Sequence, residues 1–310
     1  MQLDRRNFLA GAAAMTLAPS PTHAAPAADR QFWDSPFGKI AYVDRGHGKA
    51  ALFLHGFPLN SHQWRDVIAP LSAHRRCIAP DYLSLGRTEA LDGQDLSVGG
   101  QTMMVAALLD RLKIDKVDIL ANDSGGAVAQ LFAVNHPGRV RSLLLTNCDT
   151  EPDSPPPAAE PLVKAGRAKI FADKIVLSWL QNKAAARSPQ GLGGFFTFPD
   201  RLSDETLEIY LAPLVSSDRR KAQVNGYAAA LDPNPLVGVG DKLRGLHAPV
   251  RIVWGMADSV FSAKSPDYLN SVLPNVRGVR LLPAAKLFFP EEYPELIAEE
   301  ASHLWATTAA

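Results

Sequence analysis

The stretch Ala121-Asn122-Asp123-Ser124-Gly125-Gly126 sets a carboxylate and a hydroxyl side by side among small residues, directly after the largely apolar residues 117–120. A strand ends there and a helix begins. That is the setting of a nucleophile elbow, a tight turn that lifts one side chain above a sheet. Small residues flank such a turn because neighbouring backbones pass close to it. Read as small-x-nucleophile-x-small, Ala121-Asn122-Asp123-Ser124-Gly125 puts Asp123 at the tip. A carboxylate at that point attacks carbon and forms an ester, so epoxides and alkyl halides become candidate substrates. The shifted register puts Ser124 at the tip and implies a serine-type esterase. Asn122 then fills a position that calls for a tiny side chain, and this steric argument favours Asp123. The non-catalytic alternative makes Asp123 a cap of the following helix.

The elements that must position these groups are legible on either side. Residues 32–44 read as a hairpin around Asp34-Ser35-Pro36-Phe37-Gly38. Residues 51–54 form a continuous apolar run, as a strand covered on both faces does, and His55-Gly56-Phe57-Pro58 ends it in a loop. Residues 61–71 read as helix and 77–80 as a strand ending at Asp81. Residues 98–112 have helical spacing, with Met104, Ala107, Leu108 and Leu112 on one face. Strand 117–121, the elbow, a helix over 125–135 stopped by Pro137-Gly138, and strand 140–146 follow. This alternation predicts a parallel sheet covered on both faces. Polar groups in such sheets collect at the carboxyl ends of strands, where His55, Asp81, Asp123 and Asp149 fall. Residues 151–161 are rich in proline and alanine and read as a linker, and 162–245 read as helices. Residues 249–254 restore a buried strand, Asp258 follows it, and 276–282 form a further strand. The tail from Glu291 onward reads as an amphipathic helix.

Taken in order, His55-Gly56-Phe57-Pro58, the elbow at Asp123 and Trp254-Gly255-Met256-Ala257-Asp258 resemble the α/β-hydrolase family, in its branch with a helical cap inserted after the sixth strand. The resemblance implies an α/β fold, a mostly parallel sheet flanked by helices. Residues 26–150 and 247–310 would form the core and 151–246 the cap. In the Asp81 loop Ser84 stands where the family's first glycine usually lies. The resemblance further implies that the backbone N–H groups of Phe57 and Ser124 form an oxyanion hole. It makes Asp258 the acid that orients a histidine, and His55 a brace for its loop. An Asp nucleophile points to the haloalkane dehalogenase and epoxide hydrolase branch, although those enzymes commonly carry tryptophan where this chain has Ser124. Fluoroacetate dehalogenase relatives carry arginine there. Epoxide hydrolases use cap tyrosines to protonate the leaving oxygen, which brings forward Tyr210 and Tyr227. Either could equally be a packed aromatic.

The largest departure lies in Ala284-Ala285-Lys286-Leu287-Phe288-Phe289-Pro290-Glu291-Glu292-Tyr293-Pro294-Glu295. Counted back from Pro294, Leu287 occupies the place of the family's catalytic histidine. His303 falls on the surface of the last helix, and His62 follows the oxyanion loop. An aspartyl ester needs a base to activate water for its breakdown. Three readings follow. Another group, such as His62, Lys286 or a second carboxylate, is the base; or the chemistry needs no such step; or the fold is a non-catalytic ligand-binding module. An unperturbed lysine is protonated at neutral pH and makes a poor base.

Composition sets the bounds. The chain has 310 residues, with 32 Lys plus Arg against 32 Asp plus Glu, so its formal charge is zero. No basic stripe points to nucleic acid or anionic lipid. No ligand cluster points to a metal, and no organic cofactor is implied. A small-molecule substrate is the expected partner, with no membrane attachment in the mature form. Residues 1–25 read as a twin-arginine-type signal: Asp4-Arg5-Arg6-Asn7-Phe8-Leu9, a short apolar stretch and Thr22-His23-Ala24 at the cleavage site. The mature chain is thus expected in the periplasm or secreted, beginning near Ala25. Cys77 and Cys148 fall on strands separated by two others, too far apart for a disulfide.

Overall fold

The computed structural model describes residues 30–308, so residues 1–25, read above as an export signal, lie outside the described residues. Nine strands form one sheet: β1 (Arg30–Ser35), β2 (Gly38–Arg45), β3 (Ala50–Leu54), β4 (Arg76–Pro80), β5 (Glu89–Ala90), β6 (Val117–Asp123), β7 (Val140–Cys148), β8 (Val250–Gly255) and β9 (Val276–Leu282). Their order is β1-β2-β4-β3-β6-β7-β8-β9, with the two-residue β5 on β2. Pairings from β4 through β9 are parallel, and those made by β2 are antiparallel. Counting β5 moves the cap from after the sixth strand to after the seventh.

Period-2 alternation divides each central strand between two cores. In β3, Leu52 and Leu54 join one cluster while Ala51 and Phe53 join the other. In β7, Leu143 and Leu145 face the first and Leu144 the second. The helices α1 (Arg65–Leu71), α2 (Val98–Arg111) and α3 (Ser124–Asn135) follow β3, β5 and β6 in the chain. The first core is covered by α2 and α3, and the second by α1. On α2 the buried residues include Met104, Val105, Leu108 and Leu109, while Ala107 and Leu112 are only half-buried. The stripe is turned from the one read in the sequence because α2 packs on α3 as well as on the sheet.

Between β7 and β8 the chain builds the cap from α4 (Glu160–Arg167), a π-helical turn (Ala172–Val176), α5 (Leu177–Gln181), α6 (Lys183–Arg187), α7 (Asp204–Leu211) and α8 (Asp218–Ala229). It rejoins the core at α9 (Val239–Leu243), which packs on α3 and on α10 (Ser265–Val272). After β9 come α11 (Phe289–Glu292) and α12 (Pro294–Ala306), and α12 packs against α1.

Two seams hold the cap down. On one side, buried Arg220 of α8 donates to the carbonyls of Thr88 and Gly86, and Gln223 to Ala90 O at 2.8 Å. On the other, Phe288 N–H donates to Phe195 O at 3.0 Å, Thr197 N–H to Glu292 Oε2 at 2.9 Å, and Tyr210 O–H to Glu291 Oε2 at 2.7 Å. The chain visits β4 on one side of β3 and β6 on the other, so the loops after β3 and β6 meet at a topological switch point.

Candidate active site

Asp123 closes β6 with φ 55° and ψ −133°, a backbone conformation that costs about 1–3 kcal/mol for a residue with a Cβ. Ser124 is already helical, the first residue of α3. The elbow therefore has Asp123 at its tip. Its side chain does not cap α3. Phe57 N–H donates to Asp123 Oδ2 at 2.8 Å, and the Ser124 N–H also favours the charged carboxylate. The two backbone donors read from the sequence thus converge on the Asp123 side chain. The glycines explain why the backbone can do this. A Cβ on Gly56 would lie 2.6 Å from Asp123 Oδ2, on Gly125 2.4 Å from Leu54 O, and on Gly126 2.2 Å from Cys148 Cβ.

Asp123 opens into a cavity of about 270 Å³ between sheet and cap. Its walls are largely apolar: Phe57 and Leu287 from the core, and from the cap Phe171 just before the π-turn, Ile175 within it and Trp179 of α5. One further carboxylate lies on the wall, Asp149, which the sequence marks only as a strand-end residue. Asp123 pairs with Cys148 across β6 and β7, so Asp149 leaves its strand one residue beyond the elbow. Ser154 O–H donates to Asp149 Oδ1 at 2.7 Å. Burial pushes Asp123 well above the ordinary carboxylate range, the charge of Asp149 adds to the push, and the Phe57 N–H opposes it. Burial likewise pushes Asp149 up to about 7, against the Ser154 hydroxyl. Burial thus disfavours the charged form of both carboxyls on this wall.

The other candidate residues surround this pair at different depths. Ser124 is on the wall, and its Oγ accepts the Tyr227 O–H at 3.3 Å. Tyr227 itself is behind the wall, stacked on Phe57 with ring centroids 4.9 Å apart. Tyr210 is committed elsewhere, to Glu291, which also pairs with Arg65 at 2.7 Å. His55 sits off the wall with Nδ1 2.9 Å from Gly56 O, while its Nε2 accepts the Tyr82 N–H at 3.2 Å. This pattern describes a neutral ring carrying its proton on Nδ1, and burial holds its pKa down at about 4. The ring ties the loop after β3 to the loop after β4.

Asp258 is also off the wall. Its carboxylate accepts from Val260 N–H at 2.8 Å, Phe261 N–H at 3.4 Å and Asn147 Nδ2 at 2.8 Å, so it braces its own loop. Leu287 is buried and on the wall, and its carbonyl is held by Asn122 Nδ2 at 3.0 Å. His62 lies outside the cavity, edge-on to Tyr210, and burial followed by the nearby Arg65 and Arg30 lowers its pKa to about 3. Lys286 is off the wall and His303 is exposed. Cys77 and Cys148 are buried and unbonded. Among the described residues no group of His, Cys, Asp or Glu could hold a metal ion, and no helix is long and apolar enough to cross a membrane.

Comparison with known proteins adds three findings. A protein-family model described as alpha/beta hydrolase fold matches residues 50–293. Haloalkane dehalogenase 2 of Mycobacterium tuberculosis (strain ATCC 25618 / H37Rv) is 27% identical over 291 residues, covering 87% of this chain and 92% of that protein. Two solved structures share the fold. One is the epoxide hydrolase CorEH without ligand (TM-score 0.75, 22% identity, 90% of this chain and 98% of that one). The other is an ancestral haloalkane dehalogenase (TM-score 0.74, 22% identity, 90% of this chain and 100% of that one).

Proposed function

The chain belongs to the α/β-hydrolase fold family, it is a haloalkane dehalogenase- and epoxide hydrolase-like hydrolase, and we propose that it acts on a small apolar epoxide, alkyl halide or ester through Asp123. The observation that carries this reading is the pose of Asp123. It stands on a strained turn at the floor of an apolar cavity, with Oδ2 bound to the Phe57 N–H. Attack on carbon then falls to Oδ1, and the charge that later develops on Oδ2 during ester breakdown meets donors already in place. A cavity of about 270 Å³ suits a small substrate, and its apolar wall selects one with little polar surface.

Tyr227 enters through Ser124. The serine hydroxyl accepts from the tyrosine and keeps its own proton for the leaving group. This relay favours substrates whose leaving atom needs a proton, such as an opened epoxide. Asp258 keeps a bracing role. The twin-arginine-type segment supports export of the mature chain to the periplasm or beyond.

Intact-protein mass spectrometry tests the reading, with a panel of epoxides, alkyl halides and activated esters. Wild type is expected to yield product or an adduct mapped to Asp123, and Asp123→Asn neither. Product from Asp123→Asn that disappears in Ser124→Ala would transfer the role to the serine. Saturable binding with no product or adduct would favour the ligand-binding module, which Leu287 in the histidine's place suggests.

A further inference from the structure

We infer that Asp149 is the general base that activates water against the aspartyl ester, in the role a histidine would otherwise fill; this rests on Asp123 being the nucleophile. The argument is one of position. Among the described residues lining the cavity, the titratable side chains are Asp123, Asp149 and Lys174, and Lys174 is exposed. Asp149 leaves β7 beside the elbow, because Asp123 and Cys148 are partners across the ladder. Its Oδ1 accepts the Ser154 hydroxyl at 2.7 Å, and its backbone carbonyl accepts Gln130 Nε2 at 2.7 Å. Ser154 thereby fixes one carboxylate oxygen and Gln130 the backbone behind it, which leaves Oδ2 to meet a water. The competing groups are absent from the wall. Asp258 is engaged by two backbone N–H groups and Asn147, and His62 and Lys286 lie outside the cavity. Leu287 puts an aliphatic side chain where the histidine would stand.

The sequence of steps balances. Asp123 Oδ1 bonds to the electrophilic carbon as the pair of electrons in the carbon–halogen or epoxide carbon–oxygen bond leaves with its heteroatom. Asp149 takes one proton from water while the water oxygen bonds to Asp123 Cγ, and negative charge gathers on Oδ2, held by the Phe57 N–H. Collapse breaks the Cγ–O bond to the alkyl group, and the departing alkoxide recovers the proton from Asp149. The second water proton stays on the regenerated Asp123 carboxyl; with a halide it passes to solvent, and with an epoxide it replaces the proton that Ser124 and Tyr227 gave the opened oxygen.

The test is Asp149→Asn with whichever halide or epoxide of the panel the wild type turns over. The expected result is one equivalent of substrate consumed per chain (halide released, or epoxide held as its hydroxyalkyl ester), then arrest, with a lasting adduct on Asp123 and steady-state rate reduced at least 100-fold. Wild-type turnover in Asp149→Asn overturns the inference and leaves the nucleophile reading intact. Loss of turnover with no adduct also overturns it, since Asp149 would then serve binding or the first step. A wild type that gives neither product nor adduct overturns the nucleophile reading and this inference with it. If Asp149→Asn does not fold, Ser154→Ala carries the test. It should lengthen the adduct's lifetime without slowing its formation, and an unchanged lifetime would overturn the assignment.

Discussion

At position 287 an aliphatic side chain faces a buried carboxyl pair, and the backbone behind it is pinned by Asn122. A histidine introduced there inherits a fixed Cα and an orientation into the cavity. In an Asp149→Asn background, Leu287→His is expected to shorten the adduct lifetime at pH 8, read by the decay of the modified mass. An unchanged lifetime would put position 287 out of reach of the ester. The same neighbourhood shows what single residues disclose in a sequence. Asp123 is legible because its small neighbours have one steric explanation, the contacts that a Cβ would make at Gly56, Gly125 and Gly126. Asp149 is not. In the sequence it resembles Asp81, another aspartate at a strand end, yet Asp81 accepts from Ser61 and Arg87 N–H groups and pairs with Arg30 at 2.9 Å as a loop brace. Only the cap, packed from a distant stretch, turns one strand-end carboxyl into a cavity wall. Tyr227 and Tyr210 part company for the same reason: the sequence places both in the cap, and packing sends one to Ser124 and the other to Glu291.

At the level of elements, the strand-turn-helix unit β6–α3 depends on close approach more than on any single hydrogen bond. Gly126 faces Cys148 on β7 so tightly that an added Cβ would sit 2.5 Å from its sulfur. Gly126→Ala must therefore push α3 off β7. The expected cost is about 1–3 kcal/mol, as for other overpacked sites, seen as a lower urea midpoint and weaker adduct formation. A midpoint equal to wild type would mean that Cys148 can move aside freely. Buried strands and their parallel arrangement were readable because continuous apolar runs and strand-helix alternation leave few topologies. The cap was readable only as helical. Its α4, α5 and α6 are short, and the π-turn that carries Ile175 into the cavity, just after Phe171, has no local signature beyond its apolar residues. The wall it forms exists only where Phe171 meets Phe57, with ring centroids 5.3 Å apart.

For the molecule as a whole, the carboxyl pair ties stability to pH in an unusual sense. Asp123 and Asp149 both bind their protons more tightly when folded, because burial disfavours the charged form of each and, at Asp123, the charge of Asp149 adds to it. Between the unfolded aspartate value near 4 and about 7 for Asp149, the folded state holds more protons than the unfolded one. Their contribution to stability is thus largest at low pH and is lost as pH rises through that window. Asp258 is raised too, and Asp153 and Tyr227 lie within electrostatic reach of Asp149. Asp149→Asn should therefore gain on wild type in Tm as pH rises from 4 to 7 and hold that gain above it, by a few degrees, at roughly 2–4 °C per kcal/mol for a chain of this size. Scanning calorimetry at a series of pH values measures it, and a difference independent of pH would show that Asp149 titrates like an exposed carboxyl. The two seams along the cap carry a different consequence. With α8 sewn to the loop after β4 and the residues around Phe195 sewn to α11, the roof is tied along two of its edges. The expected way in lies beside Ala158, Lys174 and Gln190, the exposed members of the cavity wall. The protein would then sort molecules by girth before it sorts them by reactivity, and the pace of exchange would be set by a few side chains at the threshold.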